Sequence, residues 1–307
     1  MKSVIVLILS YNGKHLLDDS ISSYLANDYP NFEVVVIDNG STDGTKEWVE
    51  KNYPDVFVLR TEKNLAYSGG FNFGLDYAFN KRNADYVLIT NNDVKADRKV
   101  ITELVKVAET DPMIGFVTGK VYFYDKPEIL QTVGKKYDPV FWNGGHIGNN
   151  EKDEGQYDTI EERAWCDDIY WLVKRSVWEK TGGYDTEFAF QSEDWDWQVR
   201  AKLYGFKIYY TFKAKIWHKH SATIGKSSPF KIYYDARNPL IVQLKYRSPD
   251  QVRPYLTRYL INYIKRTIKD LIKLRFNFIR AYWKGFFSAI IWSIKNNKFS
   301  IKLFIKT

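Results

Sequence analysis

The chain has 307 residues, 45% of them hydrophobic and 17% aromatic, enough for a buried core and more rings than core packing ordinarily uses. Its one cysteine, Cys166, excludes an internal disulfide and a cysteine-built zinc site, and fits a reducing compartment. The net charge of +8 is uneven: residues 251–307 hold thirteen Lys/Arg against Asp270 alone, which leaves residues 1–250 at −4.

Val4 to Leu9 is an apolar, mainly β-branched run preceded by one lysine and no small-residue cleavage site, so it is expected to be a core strand and not a signal peptide. It ends at Ser10-Tyr11-Asn12-Gly13, after which Leu16, Leu17, Ile21, Tyr24 and Leu25 recur at helical spacing. Phe32 to Ile37 repeats the strand pattern and ends in Asp38-Asn39-Gly40-Ser41-Thr42-Asp43-Gly44, with a helix expected over Thr45 to Lys51. Val56 to Leu59 reads as a third strand. Asn64 to Gly74 reads as a glycine-rich turn ahead of a helix from Phe73 to Phe79. There Gly69 and Gly70 either let backbone N–H groups approach phosphates or supply a positive φ. Tyr86 to Ile89 is a buried strand that ends in three polar side chains, Asn91, Asn92 and Asp93.

Strands alternating with helices predict βαβ units on a parallel sheet, with the polar loops gathered beyond the carboxyl ends of the strands, where open α/β sheets bind ligands. Asp93 is placed to bind a hard divalent cation, which takes one or two carboxylates and leaves its other positions to water and phosphate. Tyr11 can stack on a base, and Asp38 can accept from a ring N–H or a ribose. Turn formation and capping of the helix at Thr45 account for the Asp38 to Asp43 segment without a ligand. Neither the P-loop spacing nor the dinucleotide fingerprint is present.

Further on, Ser192-Glu193-Asp194-Trp195 reads as a capped helix start with acids in its first turn, and a carboxylate there can serve as a general base. His218 and His220 follow a strand-like run from Lys207 to Trp217 in a chain with four histidines. In the tail, Leu256, Tyr259, Leu260, Tyr263, Ile264, Thr267, Ile268, Leu271 and Ile272 trace one helical stripe. Ile279, Tyr282, Trp283, Phe286, Phe287, Ile290, Ile291 and Ile294 trace another. With basic flanks, both suit helices lying in a membrane interface, and equally a pair packed on the body; Arg280 and Lys284 argue against a span. A nucleic-acid partner is not expected, because the basic residues interleave with apolar faces.

Taken together, Ser10-Tyr11-Asn12, Val36 to Gly44, Asn64 to Gly74 and Asn91-Asn92-Asp93 resemble, in order and spacing, the motifs of the family 2 glycosyltransferases of the GT-A fold. The branch that includes bacterial rhamnosyltransferases is the most similar. Leu130 to Gly134, Glu151 to Asp158, Trp171 to Asp185, Phe188 to Arg200 and Tyr233 to Asn238 extend the resemblance, the first two suggesting a long loop near the donor sugar. It implies an α/β, mostly parallel GT-A sheet with helices on both faces over residues 1–225, nucleotide-binding to about 95 and acceptor-binding from about 96. Basic C-terminal amphipathic helices would cover 226–307.

The implied chemistry is metal-dependent, inverting transfer from a nucleotide-diphosphate sugar of UDP or dTDP type, rhamnose being one candidate sugar, to a saccharide or lipid-linked glycan in cell-surface polysaccharide synthesis. By resemblance, Tyr11, Asn12, Asp38, Asn39, Asp43, Asn64, Gly69, Gly70, Asn72, Asn92 and Arg237 would hold the donor, and Asp93 with His218 would hold Mg2+ or Mn2+. Asp194 would be the base, with Glu193 behind it. The expected location is cytoplasmic, peripheral on the inner membrane face through the tail's attraction to anionic lipid. A nucleotidyltransferase and a non-catalytic membrane-bound nucleotide-sugar sensor are the competing readings. Where relatives carry glycine, this chain has Asp167-Asp168, which leaves the acceptor open.

Overall fold

The computed structural model describes residues 1–219 and 228–299. In chain order the elements are β1 (Val4–Ser10), α1 (Leu17–Leu25), β2 (Phe32–Asp38), α2 (Thr45–Asn52), β3 (Phe57–Arg60), α3 (Ala66–Asp76), β4 (Tyr86–Asn91), β5 (Val94–Ala96), α4 (Val100–Ala108), β6 (Ile114–Phe123) and β7 (Lys126–Thr132). There follow β8 (Lys135–Asp138), β9 (Trp142–His146), β10 (Ile160–Glu162), β11 (Tyr170–Lys174), α5 (Arg175–Thr181), α6 (Glu193–Leu203), β12 (Lys207–His218), α7 (Pro229–Tyr246), α8 (Pro249–Ile272) and α9 (Phe276–Lys295). They form two compact units. The first comprises Met1–Tyr137, Asn143–Ala189 and the chain from Glu193 through β12; the second comprises Asp138–Trp142, Phe190–Ser192 and the three C-terminal helices.

The first unit is built on one sheet in the order β10-β12-β6-β11-β4-β1-β2-β3, with β5 on β12 and β7 on β6. β3, β2, β1 and β4 run parallel, as the alternation of strands and helices predicts, whereas β11 enters antiparallel to both β4 and β6. Side chains alternate across the sheet, so both of its faces need cover. Val4, Val6 and Ile8 share a core with Leu17, Ile21 and Tyr24 of α1, Val49 of α2 and Leu104 of α4. On the other face, Leu7, Leu9 and Ile37 meet α3, and Phe116 and Trp171 meet Trp197 of α6.

That packing corrects one expectation. The segment from Ala66 is helix, not a turn, so Gly69 and Gly70 lie inside α3 and neither has a positive φ. Glycine is a poor helix former, but here its lack of a side chain lets α3 lie directly on the sheet. A Cβ on Gly70 would stand 2.6 Å from Leu9 Cδ1 and 2.9 Å from Asn39 Nδ2, and one on Gly74 would collide with Ile37. Likewise Leu130, Gln131 and Thr132 belong to β7 and not to a long loop.

The second unit's helices pack through one side each. Ser228 Oγ accepts from the Lys231 N–H at the start of α7, and Gln251 Oε1 accepts from the Ser248 N–H at the start of α8, with proline in the first turn of each. Gly285 of α9 sits against Tyr233 and Ala236 of α7, Tyr259 of α8 donates to the Ala236 carbonyl at 2.9 Å, and Tyr282 and Trp283 of α9 both donate to Thr267 Oγ1.

Candidate active site

Strand register assembles the site. Ser10 is level with Asp38, and Leu9 with Asn91, so the loops after β1, β2 and β4 leave the sheet side by side. The first two are stitched together. Asn12, in left-handed backbone (φ 49), donates its N–H to Ser41 Oγ at 3.0 Å and accepts the Thr42 N–H on Oδ1 at 2.8 Å. Asp43 accepts the Lys14 N–H at 3.1 Å and the Thr45 N–H at 3.1 Å, the turn expected before α2. Asp38 is fully buried, and its two oxygens accept from the Ser41 N–H and from Arg60, each at 2.9 Å. Asn39 ties this loop to the start of α3: it donates to Asn64 Oδ1 and the Ala66 carbonyl and accepts from Thr61 and the Leu65 N–H. Tyr11, at the start of the first of these loops, is 45% exposed. Asn92 reaches back toward Ser10 Oγ at 3.5 Å.

Asp93 and His218 meet because β5 pairs antiparallel with β12, placing His218 opposite Val94. The Lys219 N–H donates to the Asp93 carbonyl at 2.9 Å and fixes the join. Both side chains are buried, with His218 Nε2 3.1 Å from Asp93 Oδ1 and Gln131 Oε1 2.9 Å from His218 Nδ1. With Nδ1 turned to the glutamine, Nε2 faces the carboxylate, so a cation seated beside the two could take a nitrogen from one and an oxygen from the other. Among the described residues no group of three or more His, Cys, Asp or Glu converges, and within them this pair is what a cation could take. Two protein ligands suit a cation that draws its remaining oxygens from water and phosphates. His220 lies outside the described residues.

A second cluster forms where the β10–β11 connection crosses the start of α6. Gln198 of α6 accepts the Cys166 N–H at 2.8 Å and donates to the Cys166 and Asp194 carbonyls, which draws Asp167 and Asp168 toward Glu193 and Asp194. Gln191 and Ser192, just before α6, both have positive φ (68 and 70), so Ser192 lacks the extended backbone of a usual N-cap. Into this group of acids Lys135 extends a buried ammonium, 2.6 Å from Asp167 Oδ1 and 3.4 Å from Asp194 Oδ2, while His146 Nδ1 lies 3.1 Å from Asp167 Oδ2. Tyr184 donates to Asp168 at 2.9 Å, and Asn72 holds Tyr184 in place by pairing with both its N–H and its carbonyl.

The four carboxyls differ in charge. Burial would raise Asp167, but Lys135 and His146 overcome it and hold this acid well below the ordinary range. Burial, opposed by Lys135, leaves Asp194 raised. Burial and then the neighbouring Asp194 push Asp168 up to about 8. Glu193 rises for the same reasons, burial first and then Asp168 and Asp194, and its Oε2 is buried with no hydrogen-bond partner among the described residues. A carboxylate beside one cation can accept a proton from a hydroxyl. Sequence patterns had singled out Glu193, Asp194 and the Asp167-Asp168 departure, but not Lys135, His146 or a role for Gln131; only Gln131 lay in a segment the resemblance covered.

Arg237 belongs to the second unit, where it donates to Ser288 Oγ and Asn238 Oδ1. Asn238 in turn donates to the carbonyls of Phe190 and Gln191.

Residues 5–179 match the family described as Glycosyl transferase family 2. The poly-beta-1,6-N-acetyl-D-glucosamine synthase of Staphylococcus epidermidis is 26% identical over 231 residues, 73% of this chain and 52% of its own. That of Staphylococcus aureus is 25% identical over 230 residues. The chain therefore spans about half the length of the curated relatives it matches. Among solved structures, a mannosyltransferase of Pyrobaculum calidifontis in complex with GDP-Man and Mn2+ superposes with a TM-score of 0.55 at 16% identity, over 95% of this chain and 88% of that one. S. aureus TarS gives 0.56 at 16%, over 84% and 43%. These structural likenesses establish a GT-A-like fold.

Proposed function

We propose that this chain, which belongs to glycosyl transferase family 2, is a glycosyltransferase that moves a sugar with inversion from a nucleotide-diphosphate donor to a saccharide or lipid-linked glycan, in cell-surface polysaccharide synthesis. The observation that carries the reading is Asp93 held 3.1 Å from His218, with Gln131 behind the imidazole. In this proposal Tyr11 stacks on the base, and Asn12, Asp38, Asp43, Asn64 and Asn92 shape the loops that receive the nucleotide. Asp93 and His218 hold a divalent cation, Mg2+ or Mn2+, which when bound neutralises charge on the departing diphosphate.

Asp194 takes the acceptor hydroxyl's proton as that oxygen attacks the anomeric carbon from the side opposite the diphosphate. One such base suffices for a single inverting displacement. Lys135 keeps Asp194 ionisable in its buried setting, with Glu193 behind it, and Asp168, raised by burial and by Asp194, stands beside the base. A UDP- or dTDP-linked sugar, rhamnose among the candidates, is the donor, and the enzyme works peripherally on the cytoplasmic membrane face. Calorimetric titration of a panel of nucleotide sugars with Mg2+ or Mn2+, followed by transfer assays, tests this. Metal-dependent binding of one donor class is the expected result; binding and turnover undiminished in EDTA would refute the metal's part.

A further inference from the structure

We infer that the outward side of α8 is a docking surface for an anionic lipid bilayer, its apolar stripe entering the headgroup boundary while a row of lysines meets lipid phosphates. The inference rests on the membrane-peripheral reading above and names the surface responsible. The sequence shows one broad apolar stripe on this helix; the structure divides it. Val252, Leu256, Tyr259, Tyr263 and Thr267 turn inward toward the neighbouring helices. Ile261, Ile264, Ile268, Leu271 and Ile272 do not, and are 47 to 79% exposed. At 3.6 residues per turn these five fall within about 100° of arc. Leu274 and Phe276, 73% and 59% exposed, continue the apolar surface around the turn into α9.

Lys265, Lys269 and Lys273 stand on successive turns along the flank of this stripe, and none has a carboxylate partner among the described residues. With Arg266, Asp270 and Arg275 they line a shallow depression at the α8–α9 corner. Asp270 is the sole acid there and already lies 3.8 Å from Arg266, so the corner presents unneutralised positive charge. An exposed apolar stripe edged by cations is the composition of a helix that lies in a bilayer interface. A second copy of the chain fits this face poorly, since apposed copies would bring two such lysine rows together. No described helix is long and apolar enough to cross a membrane.

The test is sedimentation of the full chain with phosphatidylcholine vesicles and with vesicles of phosphatidylcholine mixed with phosphatidylglycerol, at low and high salt. Transfer to a soluble saccharide is assayed on the same samples. We expect binding to the mixed vesicles that weakens with salt. Replacing Lys265, Lys269 and Lys273 by Gln should weaken it roughly a hundredfold, each lysine near the surface being worth about 1 kcal/mol. Ile264→Asp with Ile268→Asp should abolish it, with thermal unfolding unchanged because both side chains already face solvent. Vesicle binding by wild type that neither set of changes affects overturns the assignment, as does failure to bind any vesicle. A dimer that the Asp pair dissociates, without vesicle binding, overturns it in favour of self-association. Vesicle binding without sugar transfer would refute the reaction and leave the docking surface standing.

Discussion

Asp93 and His218, remote in sequence, are brought within 3.1 Å by a three-residue strand, since β5 pairs with the end of β12. The antiparallel join makes the Asp93–His218 pair a consequence of backbone register. Asp93→Asn should therefore abolish transfer and metal-dependent donor binding while leaving thermal unfolding nearly unchanged, because the amide keeps the volume and an oxygen beside the buried His218. Gln131→Leu should preserve the fold but weaken Mn2+ affinity about 10- to 100-fold, measured by calorimetry in the presence of nucleoside diphosphate. Unaltered affinity would mean that the glutamine does not orient the imidazole.

Asp194→Asn should bind donor nearly as well as wild type and lose transfer by about two to four orders of magnitude, the usual worth of a general base. An equal fall in donor affinity would mark it as a binding residue. Lys135→Met should act through Asp194. Without the ammonium 3.4 Å away the carboxylate is harder to ionise, so the acid limb of the kcat profile moves to higher pH. Lys135→Arg should restore much of the profile. A uniform loss at all pH values would show that the lysine only supports the fold.

Asp168 supplies a pH test of stability. Its pKa in the fold is raised to about 8, whereas an unfolded aspartate titrates near 4. Between those values the native state holds a proton that the unfolded chain has released, so stability falls as pH rises from about 4 through about 8. Asp168→Asn keeps this position neutral at every pH and should flatten that decline. If unfolding midpoints of the two proteins run parallel from pH 5 to 9, the proton is not there.

Gly74→Ala adds a methyl where Ile37 and Leu7 press against α3, with Leu7 Cδ1 3.0 Å from the new carbon. Overpacking of this kind costs about 1 to 3 kcal/mol, more than the roughly 0.5 to 1 kcal/mol that alanine gains in a helix. The denaturant midpoint should drop with the slope unchanged.

Much of the first unit was legible because its strands are continuous apolar runs and the acid-bearing loops follow them directly. The exceptions have physical causes. Gly70 and Gly74 look like turn residues until the sheet beneath α3 is known, since close approach of the helix to Leu9 and Ile37 overrides propensity. On α8 the apolar residues were visible, but which of them would be covered depends on α7 and α9, so Tyr259 and Ile264 read alike. Lys135 and Asp194 carry no shared pattern; a buried ion pair across distant segments is invisible to spacing.

Cys166 lies directly before Asp167, completely buried, with its backbone clasped by Gln198 and its thiol held protonated by burial and by the acids around it. A thiol so placed is inert toward alkylating reagents at neutral pH. The chain is thus chemically silent to maleimide as it stands. A cysteine introduced at exposed Tyr11 would carry a fluorophore alone, and any slow labelling of wild type would time the opening of the loop that brings Asp167 and Asp168 to α6.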